Sequence, residues 1–128
     1  MGVVVHLVQP EKEYSQSTAQ LSGLNVTIPY KQDVIPYLDN IDLEAQEIGA
    51  VNTIKFENGK LTGYNTDHYG FEHSLKSHLK PLHKKALILG TGGASKAIAF
   101  ALKKLGISFE YVSRTLSPSV KYSYDTLS

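Results

Sequence analysis

The chain has 128 residues, 41% of them hydrophobic and 20% charged, and a formal net charge of +1. That is the composition of an ordinary folded domain. Lysines and acidic residues are interleaved, so no basic face is set aside for a nucleic-acid backbone. The absence of cysteine excludes disulfides and thiolate metal sites and fits a cytoplasmic setting.

Taken in chain order, Val3 to Val8 is apolar, without a basic flank or a small-residue cleavage site. It is expected to be a strand, not a signal peptide or a membrane span. Gln9 to Ser22 is polar and carries Pro10, which predicts a loop or a weak helix. Leu24, Val26 and Ile28 alternate with Asn25 and Thr27, the pattern of a half-buried strand stopped by Pro29. Gln32 to Leu38 predicts a short helix interrupted at Pro36. Asp42 to Ile48 predicts another, capped by Asp42 and ended by Gly49. Ala50 to Phe56 and Leu61 to Tyr64 flank Glu57-Asn58-Gly59-Lys60, and Asn-Gly between two extended runs signals a hairpin.

From Thr66 onward, Phe71, Leu75 and Leu79 recur at steps of four, so a helix is expected to open at Thr66 or Asp67 and end near Pro81. Pro81 to Lys85 reads as a linker. Beyond it, Ala86 to Leu89 is a wholly apolar run suited to a buried parallel strand. Ala94 to Leu105 is periodic in Ala97, Ile98, Ala101, Leu102 and Leu105 and is closed by Gly106, and Ser108 to Val112 is the next strand. Strand, glycine turn, helix and strand make one right-handed crossover. The tail from Leu116 shows no period. The expectation is an α/β chain with a substrate-binding domain over residues 1–80 and a partial Rossmann-like domain over residues 81–128.

The glycine turn is Gly90-Thr91-Gly92-Gly93-Ala94-Ser95. Glycines that let the backbone approach closely, followed by a helix start with free N–H groups, are what a dinucleotide pyrophosphate requires. The general G-x-G-x-x-G/A fingerprint is incomplete, because Ser95 holds its last position. The strand before it and the helix after it supply the context that the pattern needs. At the end of the second strand stands Ser113-Arg114-Thr115. No carboxylate lies between Val112 and Pro118, and Arg114 is the only arginine in the chain. An acidic residue at this place binds the ribose 2′-hydroxyl of NAD, whereas an arginine accommodates the 2′-phosphate of NADP, so NADP is favoured.

Three blocks in the first half belong together: Gly23-Leu24-Asn25-Val26-Thr27-Ile28-Pro29-Tyr30-Lys31, Ala50-Val51-Asn52-Thr53 and Asn65-Thr66-Asp67. With the glycine turn and Ser113-Arg114-Thr115, they resemble shikimate dehydrogenase from about Gly23 to about Thr115. The resemblance implies NADPH-dependent, reversible reduction of 3-dehydroshikimate to shikimate, in aromatic amino-acid and chorismate biosynthesis. It implies that Lys31 and Asp67 contact the reacting hydroxyl, with Lys31 as acid/base and Asp67 as its partner. Hydride transfer to a ketone leaves an alkoxide that needs a proton, so one such group is required. Thr27, Asn52 and Asp67 are implied as substrate contacts, and Gly90, Thr91, Gly92, Gly93, Ala94, Ser113, Arg114 and Thr115 as cofactor contacts. Taken singly, Lys31 also reads as a surface lysine after a turn and Asp67 as a helix cap. Asn25 and Asn65 also read as backbone-bonding residues at strand ends.

His68, His73, His78 and His83 recur every five positions, and five residues turn a helix by about 140° net, so no metal site is expected. The chain departs from the family in lacking a His-Ser-x-Ser-Pro block; Ser15-Gln16-Ser17 has the serine spacing alone. The strands and helices that follow the arginine in the family are also missing. A shortened member with reduced or absent turnover is therefore expected. Three alternatives stay open: a nucleotide- or substrate-binding module of the same family, a quinate/shikimate dehydrogenase using NAD, and a homo-oligomer paired through exposed strand edges.

Overall fold

The computed structural model describes residues 22–127. The expected strand over residues 3–8, most of the polar stretch after it, and Ser15-Gln16-Ser17 lie outside the described residues. The chain divides between Thr66 and Asp67 into two compact units.

The first unit holds a four-stranded sheet with β1 (Gly23–Asn25), β2 (Asn40–Ile41), β3 (Thr53–Glu57) and β4 (Lys60–Tyr64) in the order β1-β3-β4-β2. The β3–β4 hairpin forms as expected. Glu57 pairs with Lys60, and Asn58 and Gly59 both have positive φ, 52° and 71°, the conformation that a two-residue turn needs to follow the strand twist. The one α-helix of this unit among the described residues, α1 (Leu43–Ile48), also matches the sequence reading. The Asp42 carboxylate accepts from the Glu44 N–H at 3.1 Å, and Gly49 ends the helix at φ 71°, satisfying a donor at one end and reversing the chain at the other.

Two expectations are corrected. The strand after Gly23 stops at Asn25, and Val26–Thr27 leads into a turn in which the Tyr30 N–H donates to the Thr27 carbonyl at 2.9 Å, with a cis Ile28–Pro29 peptide. The expected helix over residues 32–38 is a single 3-10 turn, Ile35–Tyr37. Pro36 brings no N–H to extend it, and the residue before a proline is pushed away from helical angles.

Val34, Ala45, Val51 and Ile54 are buried together, with Leu24, Val26, Ile35, Leu38, Ile41 and Leu61 packed around them. The sheet packs tightly on this core at Gly63, where a Cβ would stand 2.5 Å from Leu38 Cδ1 and 2.9 Å from Val51 Cγ2. A side chain there overpacks the core. Gly63→Ala is expected to cost about 1–3 kcal/mol, measured as a lower urea midpoint with an unchanged slope.

The second unit begins with α2 (Asp67–Lys76), followed by β5 (Lys85–Leu89), α3 (Gly93–Lys104) and β6 (Ser108–Ser113). β5 and β6 pair in parallel along their length, from Lys85 with Ser108 to Leu89 with Val112, so the strand–turn–helix–strand crossover is present. Ile88, Ala99, Leu102 and Ile107 form the second core, joined by Phe71, Leu75, Leu79, Ile98 and Phe109. The division into compact units thus falls ahead of α2, whereas the sequence reading set its domains at residues 1–80 and 81–128. The apolar stripe of α2 packs into the second core, because a period of four marks which face is buried but not which sheet receives it. Glu72 of α2 meets Lys76 at 2.8 Å and Lys104 of α3 at 3.8 Å.

The tail, without a period in the sequence, adds a short parallel strand, β7 (Tyr122–Ser123), and a 3-10 turn, Tyr124–Thr126. Sheet order is β5-β6-β7, so β5 is an edge strand among the described residues. Its Leu87 and Leu89 are exposed, and a groove of about 520 Å³ runs along it.

Candidate functional site

Asn52 is the hub of the first unit. It precedes β3, and its backbone carbonyl accepts from the Val26 N–H at 2.7 Å while its own N–H donates to the Tyr64 carbonyl at 3.0 Å. One position earlier, the Val51 N–H donates to the Lys31 carbonyl at 2.7 Å. Thr27 and Lys31 flank a proline turn, and these main-chain bonds hold both ends of that turn against the 50–53 block.

The side chain of Asn52 reaches the third block. Its Oδ1 accepts from the Thr66 N–H at 2.9 Å and from Thr53 Oγ1 at 3.0 Å, and its Nδ2 donates to Thr66 Oγ1 at 2.9 Å. Asn65, buried, donates from Nδ2 to the Ala50 carbonyl at 2.9 Å. Blocks separated by dozens of residues therefore meet at one amide. Asn65 serves the backbone, in accord with the plainer of its two sequence readings, while Asn25 lies in β1 opposite Thr53.

Lys31 and Thr27 are half-buried on the turn. Asp67 is the first residue of α2 and follows Thr66 directly, so the Asn52–Thr66 bonds fix the peptide that delivers it. Thr53 and Thr66 escaped the sequence reading as supports of Asn52. Their hydroxyls were legible only as parts of the blocks, since a threonine at a strand end is commonplace. Asn52→Ala removes bonds whose partner Thr66 is exposed and can turn to water, so it is expected to cost only about 1 kcal/mol. Amide exchange at Thr66 is expected to accelerate, and a measurement of that N–H checks it.

In the second unit, the glycine turn joins β5 to α3. The Gly90 N–H donates to the Val112 carbonyl at 2.8 Å, and Gly90 has φ +109°, a conformation that strains any residue with a Cβ. Gly92 takes the N-cap position of α3 with no side chain to cap it, and a Cβ built on it would meet nothing within 4 Å. The space in front of the helix start is open to a ligand. Ser95, buried in the first helical turn, donates to the Gly92 carbonyl at 2.6 Å, so its hydroxyl braces the turn that the incomplete fingerprint left in question. Thr91 and Ala94 are exposed beside it, and Arg114 and Thr115 are exposed immediately beyond the end of β6, which Ser113 closes. Helix start, glycine backbone and arginine occupy the carboxyl ends of parallel strands, where open α/β sheets take their ligands.

A family profile described as the shikimate dehydrogenase substrate binding domain matches residues 7–54. The similarity thus begins well ahead of Gly23, where the motif resemblance starts. The NADP(+) shikimate dehydrogenase of Aquifex aeolicus is 50% identical over 103 residues, which make up 80% of this chain and 38% of that protein. Among solved structures, shikimate dehydrogenase 1 from Peptoclostridium difficile superposes with a TM-score of 0.77 at 40% identity, covering 88% of this chain and 44% of that one. The Thermus thermophilus enzyme in complex with NADP(H) and shikimate gives 0.70 at 43% identity, covering 78% and 38%. The chain spans about two fifths of the length of these relatives. By sequence and by fold, the chain is similar to shikimate dehydrogenases over the part of their length that it spans.

Proposed function

We propose that the chain binds NADP and shikimate and carries the proton-transfer groups of an NADP-dependent shikimate dehydrogenase, reversibly reducing 3-dehydroshikimate. The observation that carries this reading is the junction at Asn52, where the three substrate-type blocks are bonded into one patch. Residues 1–80 hold the substrate groups in this reading and residues 81–128 the nucleotide groups, with α2 supporting the nucleotide unit.

The glycine turn fits a dinucleotide. The twelve-residue α3 presents uncapped N–H groups behind a glycine with open space before it, and such a start attracts a pyrophosphate. Gly90, Thr91, Gly92, Gly93 and Ala94 would hold the pyrophosphate, and Ser113, Arg114 and Thr115 the ribose end with its 2′-phosphate. When bound, the nicotinamide supplies or accepts the hydride. The chain's own residues do the rest. Thr27 and Asn52 bind and orient the substrate hydroxyls. Lys31 Nζ gives a proton to the oxygen at the reacting carbon in reduction and takes it back in oxidation. The Asp67 carboxylate is its charge partner in this reading.

Titration of the whole chain with NADP and with NAD, each with and without shikimate, tests the reading. Binding of NADP in preference to NAD, tightened by shikimate, is expected. A chain that binds neither nucleotide ends it. Binding without turnover would favour the binding-module alternative.

A further inference from the structure

Parallel neighbours in a sheet ordinarily need a crossover of a dozen or more residues, usually a helix. β6 and β7 are parallel, yet only eight residues, Arg114–Lys121, join them. The short path works because β7 meets β6 only at its carboxyl end, Val112 with Tyr122 and Ser113 with Ser123. The connection does not have to travel back along the strand.

It is also closed on itself. The Ser117 N–H donates to the Val120 carbonyl at 3.3 Å and the Val120 N–H to the Ser117 carbonyl at 2.9 Å, around Pro118 and Ser119. Val120 is 4% exposed, the one buried residue in the connection. Lys121 Nζ reaches Glu110 Oε1 of β6 at 2.8 Å. Past β7, the Ser123 N–H donates to Thr126 Oγ1 at 3.0 Å. The segment that starts with exposed Arg114 is thereby tied back to β6 within a few residues on either side.

We infer that this connection is a clasp that presets Arg114 for a phosphate monoester on the nucleotide ribose, and that Val120 and Pro118 are positioning residues for that recognition. The inference rests on the NADP reading above. A buried Val120 anchors the returning arm, Pro118 stiffens the turn, and the backbone at Arg114 is held before any ligand arrives. Only the arginine side chain is then left to order on binding, which lowers the entropic cost of engaging the 2′-phosphate. The adenosine ribose without that phosphate makes no use of the device.

The test is the ratio of NAD to NADP dissociation constants, measured calorimetrically on the whole chain for wild type, Val120→Ala, Pro118→Gly and the conservative Val120→Ile. Val120→Ala trims the anchor, and Pro118→Gly loosens the turn at an exposed position outside the core. Both are expected to lower the preference for NADP by about three- to tenfold, with NAD affinity unchanged and Val120→Ile near wild type. A wild type that prefers NADP, with the ratio unmoved in both loosened variants, overturns the clasp and leaves the Arg114 reading standing. Equal weakening of both nucleotides overturns it as well, because that is what a merely structural role produces. A wild type without any preference for NADP overturns the cofactor reading and the clasp with it.

Discussion

Replacing Lys31 by methionine is expected to lower turnover of 3-dehydroshikimate by about 10²- to 10⁴-fold, the usual contribution of a positioned acid/base group. Binding of substrate and nucleotide is expected to stay within a few-fold of wild type. The backbone carbonyl of Lys31 accepts from the Val51 N–H at 2.7 Å. Methionine keeps that bond and most of the stem of the side chain while removing the charge and the proton. Single-turnover kinetics beside shikimate titration and a urea unfolding curve separates a loss of chemistry from a loss of the turn. Unchanged turnover in the methionine variant would remove Lys31 from the mechanism.

Arg114→Gln is expected to weaken NADP binding by about 10- to 100-fold, which corresponds to the ~1.5–3 kcal/mol of a hydrogen bond to a charged group. NAD binding is expected to stay unchanged. The site has no other arginine, and no carboxylate lies between Val112 and Pro118 to bind the hydroxyl of NAD in its place. The substitution sits at an exposed position after β6, where the strand pairing continues without it, so folding is expected to survive. Calorimetric titration with the two nucleotides is the check, and equal losses for both would take the arginine away from the 2′-phosphate.

How much of this was open to reading from the residues depends on how local the cause is. Asn58-Gly59 demands positive φ at both positions, so the hairpin was legible. Asp42 and Gly49 bracket α1 with a donor partner and a left-handed stop, and that helix was legible too. β5, α3 and β6 follow from an apolar run, a helical period and a second apolar run. The failures are of another kind. The period of Phe71 and Leu75 tells that α2 buries a face but says nothing of which core receives it. Pro29 and Pro36 were seen, but the strand ends at Asn25 with its pairing to β3, and Pro36 reduces the helix to a single 3-10 turn. β7 has two residues and no alternation, and it exists because Val112 and Ser113 offer it an edge. In the candidate site, strand and helix context made legible where the glycine turn and Arg114 lie, between β5 and α3 and just after β6. Lys31, Asp67, Thr27 and Asn52 came from the resemblance, and the hydroxyls of Thr53 and Thr66 that steady Asn52 were not visible without coordinates.

Among the described residues, Val34, Ala45, Val51 and Ile54 are buried in one cluster and Ile88, Ala99, Leu102 and Ile107 in the other. Small folded units keep little reserve. A ligand held at a hundred times its dissociation constant adds about 2.7 kcal/mol, a sizeable share of the ~5–15 kcal/mol that folded domains typically possess. On the proposed function, occupancy and persistence of the folded chain are linked, and scarcity of nucleotide and substrate leaves the same polypeptide more open to proteases.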